Sequence, residues 1–179
     1  MAPDAPRANR IASHLGWIPL VAVAIFFAAA ASDGAEEQVR KSVALLAVDF
    51  HIDDEERGVS QARVAAVQEQ FRRRLAATGR FTFVPVPAAV RARIDNDQAI
   101  GACGGCEITY GRELGGDVVA WINVQKVSDL ILNMNVYVAD VDSQKMRFVR
   151  SVDIRGHDDE SWSRSLDHLI KHHLLETRI

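Results

Sequence analysis

Two hydrophobic rhythms follow one another along the chain. Val43 to Phe50 is a continuous run of strand length, apolar except for Asp49, which predicts a central strand covered on both faces. The acidic stretch Asp53-Asp54-Glu55-Glu56 and Gly58 follow. Ser60 then reads as the N-cap of a helix carrying Val64, Val67, Phe71 and Leu75 at helical spacing. Arg72, Arg73 and Arg74 fall near the end of that helix, where cations suit the dipole, and Gly79 stops it. Phe81 to Val84 predicts a second strand, closed by Pro85 and Pro87. Ala88 to Asp97 predicts a second helix, and Glu107 to Leu114 a short third ended by Gly115-Gly116.

The last third of the chain has a period of two. Val118, Ala120, Ile122 and Val124 share one face of a strand over 117–127. Leu130, Leu132, Met134, Val136 and Val138 alternate with Ile131, Asn133, Asn135, Tyr137 and Ala139, and Phe148, Val152 and Ile154 continue the pattern. Short polar links at 126–129 and 142–145 suit hairpins, so three consecutive antiparallel strands are expected. A final helix from Glu160 to about Leu175 would bury Trp162, Leu166, Leu169 and Ile170. The order is β-α-β-α-α-β-β-β-α: an α/β (α+β) domain over residues 42–179, with a mixed sheet of about five strands, a carboxy-terminal antiparallel meander and a closing helix. Helices on one side of the sheet would account for this order.

The residues before the domain follow a third pattern. Leu15 to Ala31 is an apolar run behind a basic head with Arg7 and Arg10, and it ends in four alanines. This predicts a signal peptide over 1–31, cleaved near Ala30 or Ala31, followed by a flexible arm over 32–41. A spanning helix needs about 20 apolar residues; this run is shorter and holds Gly16 and Pro19. The expected location is periplasmic or secreted, with membrane contact only through an uncleaved leader. The formal charge of the 179-residue chain is −3, and losing Arg7, Arg10 and Asp4 with the leader makes the remainder one charge more negative. That balance argues against nucleic acid as a partner, because phosphate backbones attract basic patches.

Export bears directly on the two cysteines, Cys103 and Cys106, which sit in Gly101-Ala102-Cys103-Gly104-Gly105-Cys106. In an oxidising compartment such a pair is expected as a disulfide. The spacing also suits a redox centre or half of a metal site, but no second CxxC supplies further ligands. As a structural bridge it would pin the loop ahead of the short helix, with a small entropic contribution because the closed loop is so short.

His168 and His172 are four apart on the final helix and form an alternative metal pair, with His157 and His173 nearby. Leu169 stands where a metalloprotease motif would need glutamate. The clusters 53–56 and 157–160 lack the alternating order of a calcium loop. Asn133, Asn135 and Tyr137 share one strand face, and Trp121 and Gln125 share parity on the preceding strand. These five residues form a candidate binding surface, since amides and aromatics suit recognition. The chain holds no nucleophile elbow, phosphate loop or dinucleotide fingerprint, so no catalytic residue and no cofactor is expected.

Two resemblances sharpen this outline. The stretch Ile108 to Ile122, with its Leu114-Gly115-Gly116-Asp117 turn from helix to strand, resembles the TolB amino-terminal-like and curli secretion-channel-like α/β domains. The segments Val48-Asp49-Phe50, Cys103-Gly104-Gly105-Cys106, Gln125 to Asn133, Ser151 to Gly156 and Asp159 to Trp162 resemble a family of small exported bacterial proteins known only as a domain of unknown function. The resemblance implies the fold and an exported location, and it implies no reaction. The function expected is a non-catalytic accessory protein binding an envelope protein or a small ligand. The alternative is a thiol-redox or metal-handling protein centred on Cys103 and Cys106.

Overall fold

A computed structural model describes residues 40–51, 57–128, 130–156 and 158–179. The expected leader, the arm up to residue 39, the acidic stretch 53–56 and His157 lie outside the described residues. The elements are β1 (Lys41–His51), α1 (Arg57–Ala76), β2 (Phe81–Phe83), α2 (Ala88–Asn96), α3 (Cys106–Leu114), β3 (Val118–Lys126), β4 (Ile131–Asp140), β5 (Met146–Arg155) and α4 (Asp159–Leu169). A π-helical turn, Ile170–Leu174, continues α4. None of the described helices is long and apolar enough to cross a membrane.

One five-stranded sheet runs in the order β2-β1-β3-β4-β5. β1 pairs in parallel with β2 on one side and β3 on the other, and β3, β4 and β5 form the expected antiparallel meander. The connection from β1 to β2 and the connection from β2 to β3 run in opposite directions across the sheet. Because parallel crossovers are right-handed, they must lie on opposite faces. The helices are therefore split, which corrects the expectation that they sit on one side. α1 and α4 cover the face made by Val43, Leu45, Val48, Ala120, Ile122, Met134 and Val136. α2 and α3 cover part of the other face, over Ala44, Leu46, Val119, Trp121 and Ala139. The continuous apolar run of β1 serves both cores.

Local chemistry places the elements. α1 starts at Arg57, three residues before the expected cap at Ser60. Val67, Phe71 and Leu75 are its buried stripe. Of its arginine run, Arg74 binds Asp167 of α4, while Arg72 lies over the Phe83 ring at 5.2 Å. Asp158 caps α4 by accepting from the Ser161 amide at 2.8 Å. Gly111 lets α3 close onto the sheet: a Cβ there would meet Val119 at 2.5 Å and Val141 at 2.7 Å. β1 carries a bulge between Leu45 and Ala47, so Leu46 and Ala47 both join the α2–α3 side. The Arg91 guanidinium of α2 donates to the Leu46 carbonyl and, at 3.4 Å, to the Leu45 carbonyl.

The start of β3 is clamped to β1 by a reciprocal pair. Asp117 accepts from the Ser42 amide at 2.7 Å and the Ser42 hydroxyl at 2.8 Å, which holds its carboxyl below the ordinary range. Asp140, which accepts from the Ser143 amide and hydroxyl, is lowered for the same reason. Groups depressed in the folded state add stability that is complete above the unfolded aspartate pKa, about 3.9, and that is lost as pH falls through the folded value. Denaturant titrations at stepped pH should therefore show a plateau above that value and a decline below it. Asp117→Asn should lower the plateau and make the decline shallower; a decline as steep as the wild type's would remove Asp117 as a source.

Candidate functional site

β1 and β3 are adjacent parallel strands whose carboxyl ends lie together; the chain leaves β1 for the crossover helix α1 and leaves β3 by the hairpin to β4. On the α2–α3 face, the strand register sets three rows across the sheet at this end. Ala47, Trp121, Tyr137 and Val149 make the first row; Asp49, Asn123, Asn135 and Ser151 the second; Gln125, Asn133 and Asp153 the third. The first row lies at the margin of the second core, and the other two extend past it.

All five residues of the expected surface, Trp121, Gln125, Asn133, Asn135 and Tyr137, lie on this face. They differ in accessibility. Gln125 is exposed, while Asn133, Asn135 and Tyr137 are half-buried. Trp121 is 5% exposed, stacked on Tyr137 with ring centroids 5.0 Å apart and planes 7° apart. Gly101 approaches so closely that a Cβ there would lie 2.8 Å from Trp121 Nε1. Trp121 thus supports the surface from beneath, and Val149, 52% exposed beside Tyr137 in the register, supplies its outward apolar contact.

Hydrogen bonding leaves this face rich in acceptors. The Asn133 amide nitrogen donates to Asp153 at 3.2 Å. The Ser151 hydroxyl reaches the amide oxygens of both Asn133, at 2.7 Å, and Asn135. One hydroxyl proton serves one of them at a time, so the other can accept from outside. The Asn123 Oδ1, in the same row as Asn135 and Ser151, is buried with no hydrogen-bond partner among the described residues. Such an orphan acceptor is costly unless something donates to it. Asn123, Ser151 and Val149 join this face beyond the five expected residues; for Asn123, the parity it shares with Trp121 and Gln125 is the signal in the sequence.

Beside this face, a cleft of about 550 Å³ opens between the end of β1 and α2. Asp49, Asp95 and Asp97 line it with Arg91, over an apolar floor that includes Ile94 and Ile100. Asp97 accepts from the Tyr110 phenol, which pushes that phenol's pKa up.

The other sequence candidates lie elsewhere. Cys103 and Cys106 are joined in a disulfide with Cα atoms 5.6 Å apart, at the start of α3. The His168 and His172 rings sit 4.8 Å apart at the far end of α4. The π-turn also brings His173 to 5.6 Å from His168, a neighbour that plain helical spacing does not give. Neither group contributes to the amide face.

A family profile described as "Protein of unknown function (DUF2380)" matches residues 41–174. The chain belongs to this family. The matched DUF2380 region takes in the whole sheet and α1 to α4. No curated protein matches the chain. Among solved structures, the LpoB C-terminal domain from Escherichia coli is 13% identical, with a TM-score of 0.45 over 65% of this chain and 83% of that one. The PelC dodecamer from Paraburkholderia phytofirmans is 10% identical, with a TM-score of 0.46 over 74% and 86%. TolB from Acinetobacter baumannii is 14% identical, with a TM-score of 0.38 over 74% and 29%.

Proposed function

We propose that this DUF2380 protein is an exported, non-catalytic accessory protein that binds an envelope protein across the amide face of its sheet. The observation that carries this reading is the acceptor-rich face at the carboxyl ends of β1 and β3, on which the amide oxygens of Asn133 and Asn135 share one Ser151 hydroxyl proton. A partner segment rich in N–H donors, from backbone or from arginine, would satisfy Asn135 and Asp153 together. Tyr137 and Val149 would give it an apolar margin. Export is supported by the leader pattern of residues 1–31, and a non-catalytic role by a sequence without a nucleophile elbow, phosphate loop or dinucleotide fingerprint.

Site-specific photo-crosslinking in cells tests this. A photoreactive residue at Val149 or at Gln125 should trap the same adduct in the exported fraction, and one at exposed Glu69 on α1 should not. Asn135→Lys replaces an acceptor with a cation; it should abolish the adduct at a stability cost under about 1 kcal/mol. Equal adducts from all three positions, or an Asn135→Lys adduct of unchanged yield, would overturn the reading.

A further inference from the structure

The loop ahead of α3 contains a second chemistry, separate from the amide face. Gly104 and Gly105 take φ values of +68° and +105°, left-handed backbone that turns the chain back on itself. The turn brings Cys103 and Cys106 together with the next residue, Glu107. One carboxylate oxygen of Glu107 and the two sulfurs all lie within 4.8 Å of one another. Glu107 is only 7% exposed. Its carboxylate accepts from the Gly101 amide at 2.7 Å, and among the described residues no basic side chain pairs with it. A carboxylate so placed is normally matched by a cation or a metal.

We propose that the reduced loop binds a zinc-class divalent ion through Cys103, Cys106 and Glu107, and that the disulfide is the closed form of the same site. Two thiolates and a carboxylate are a borderline-soft set suited to Zn²⁺, with water as the fourth ligand. Cys106 is the first residue of α3, whose N-cap Gly105 offers no side-chain cap. The dipole at a helix N-terminus favours a thiolate there. Both cysteines are half-buried, so a small reductant can reach them.

A dithiol reductant attacks the disulfide and breaks the Cys103–Cys106 bond. Two electrons and two protons pass to the cysteines, and the reductant leaves as its own disulfide. Zinc then displaces both thiol protons to solvent and forms two Zn–S bonds of about 2.3 Å and a bond to Glu107. Oxidation and metal binding use the same sulfur electron pairs, so each state excludes the other.

The test uses the full chain, oxidised and reduced, with zinc alone as the probe. Native mass spectrometry should show one zinc on the reduced chain and none on the oxidised chain or on Cys103→Ser/Cys106→Ser. Competition with a chromogenic chelator should give Glu107→Gln at least about tenfold weaker affinity than wild type. Zinc-edge X-ray absorption on the reduced wild type counts ligands without any substitution, and it should find two sulfurs with oxygen completing the shell. Zinc retention by the double-serine chain equal to that of the reduced wild type, or a shell without sulfur, would overturn the proposal. So would a folded Glu107→Gln chain with wild-type affinity.

Discussion

Replacing Trp162 with alanine should cost about 3–5 kcal/mol, the range for deleting a buried tryptophan. Trp162 is 2% exposed at the centre of the α4 interface. Phe50 meets it edge-on at 4.9 Å, and the Arg63 guanidinium lies 5.8 Å from its ring. One change should cost much less. The indole Nε1 is buried without a partner among the described residues, so Trp162→Phe removes an unsatisfied donor as well as apolar atoms. The gain from the first offsets part of the cavity left by the second, and the loss should be less than half that of alanine. Equilibrium denaturation of the three chains measures both differences. Equal losses for phenylalanine and alanine would mean that Nε1 has a bonding partner in solution.

The second large effect concerns Trp121. Trp121→Ala should also cost about 3–5 kcal/mol, because it empties the space beneath Gly101 and removes the stack on Tyr137. It should weaken partner capture as well, through loss of support for Tyr137. Asn135→Lys, by contrast, should lose capture and keep stability. Denaturation and crosslinking on the same two variants separate these roles. If Trp121→Ala kept both stability and capture, Trp121 would support neither the core nor the surface.

Most strands were legible in the sequence because their faces differ in chemistry. Leu132, Met134, Val136 and Val138 are all buried, and the half-buried Asn133, Asn135 and Tyr137 alternate with them as expected. Leu130, expected in the same series, stands outside β4 and is 77% exposed, because the hairpin turn begins before the alternation does. The split of helices was harder to see. α2 offers only Val90 and Ile94 to the second core, too short a stripe to reveal which face it covers. The start of α1 misled for a related reason: Ser60 is a good capping residue, but the helix already runs through it from Arg57.

The five surface residues were legible because alternation sorts side chains to one face whatever covers that face. Their accessibility was not, since the burial of Trp121 depends on Gly101, twenty positions earlier in the chain. The grouping of His173 with His168 depends on a local change of helical pitch, which residue spacing alone does not announce.

β2 is only three residues long and pairs with β1 no further than Val43. Beyond that point the neighbour of β1 on this side includes a side chain. The bulge turns two successive carbonyls, Leu45 and Leu46, toward the Arg91 guanidinium. A planar fork with several N–H groups can imitate the donors of a strand, which a lysine ammonium cannot do with the same geometry. The breadth of this sheet is therefore set by one arginine as well as by chain length, and β2 could shorten in a related sequence without orphaning the middle of β1 as long as that arginine persists.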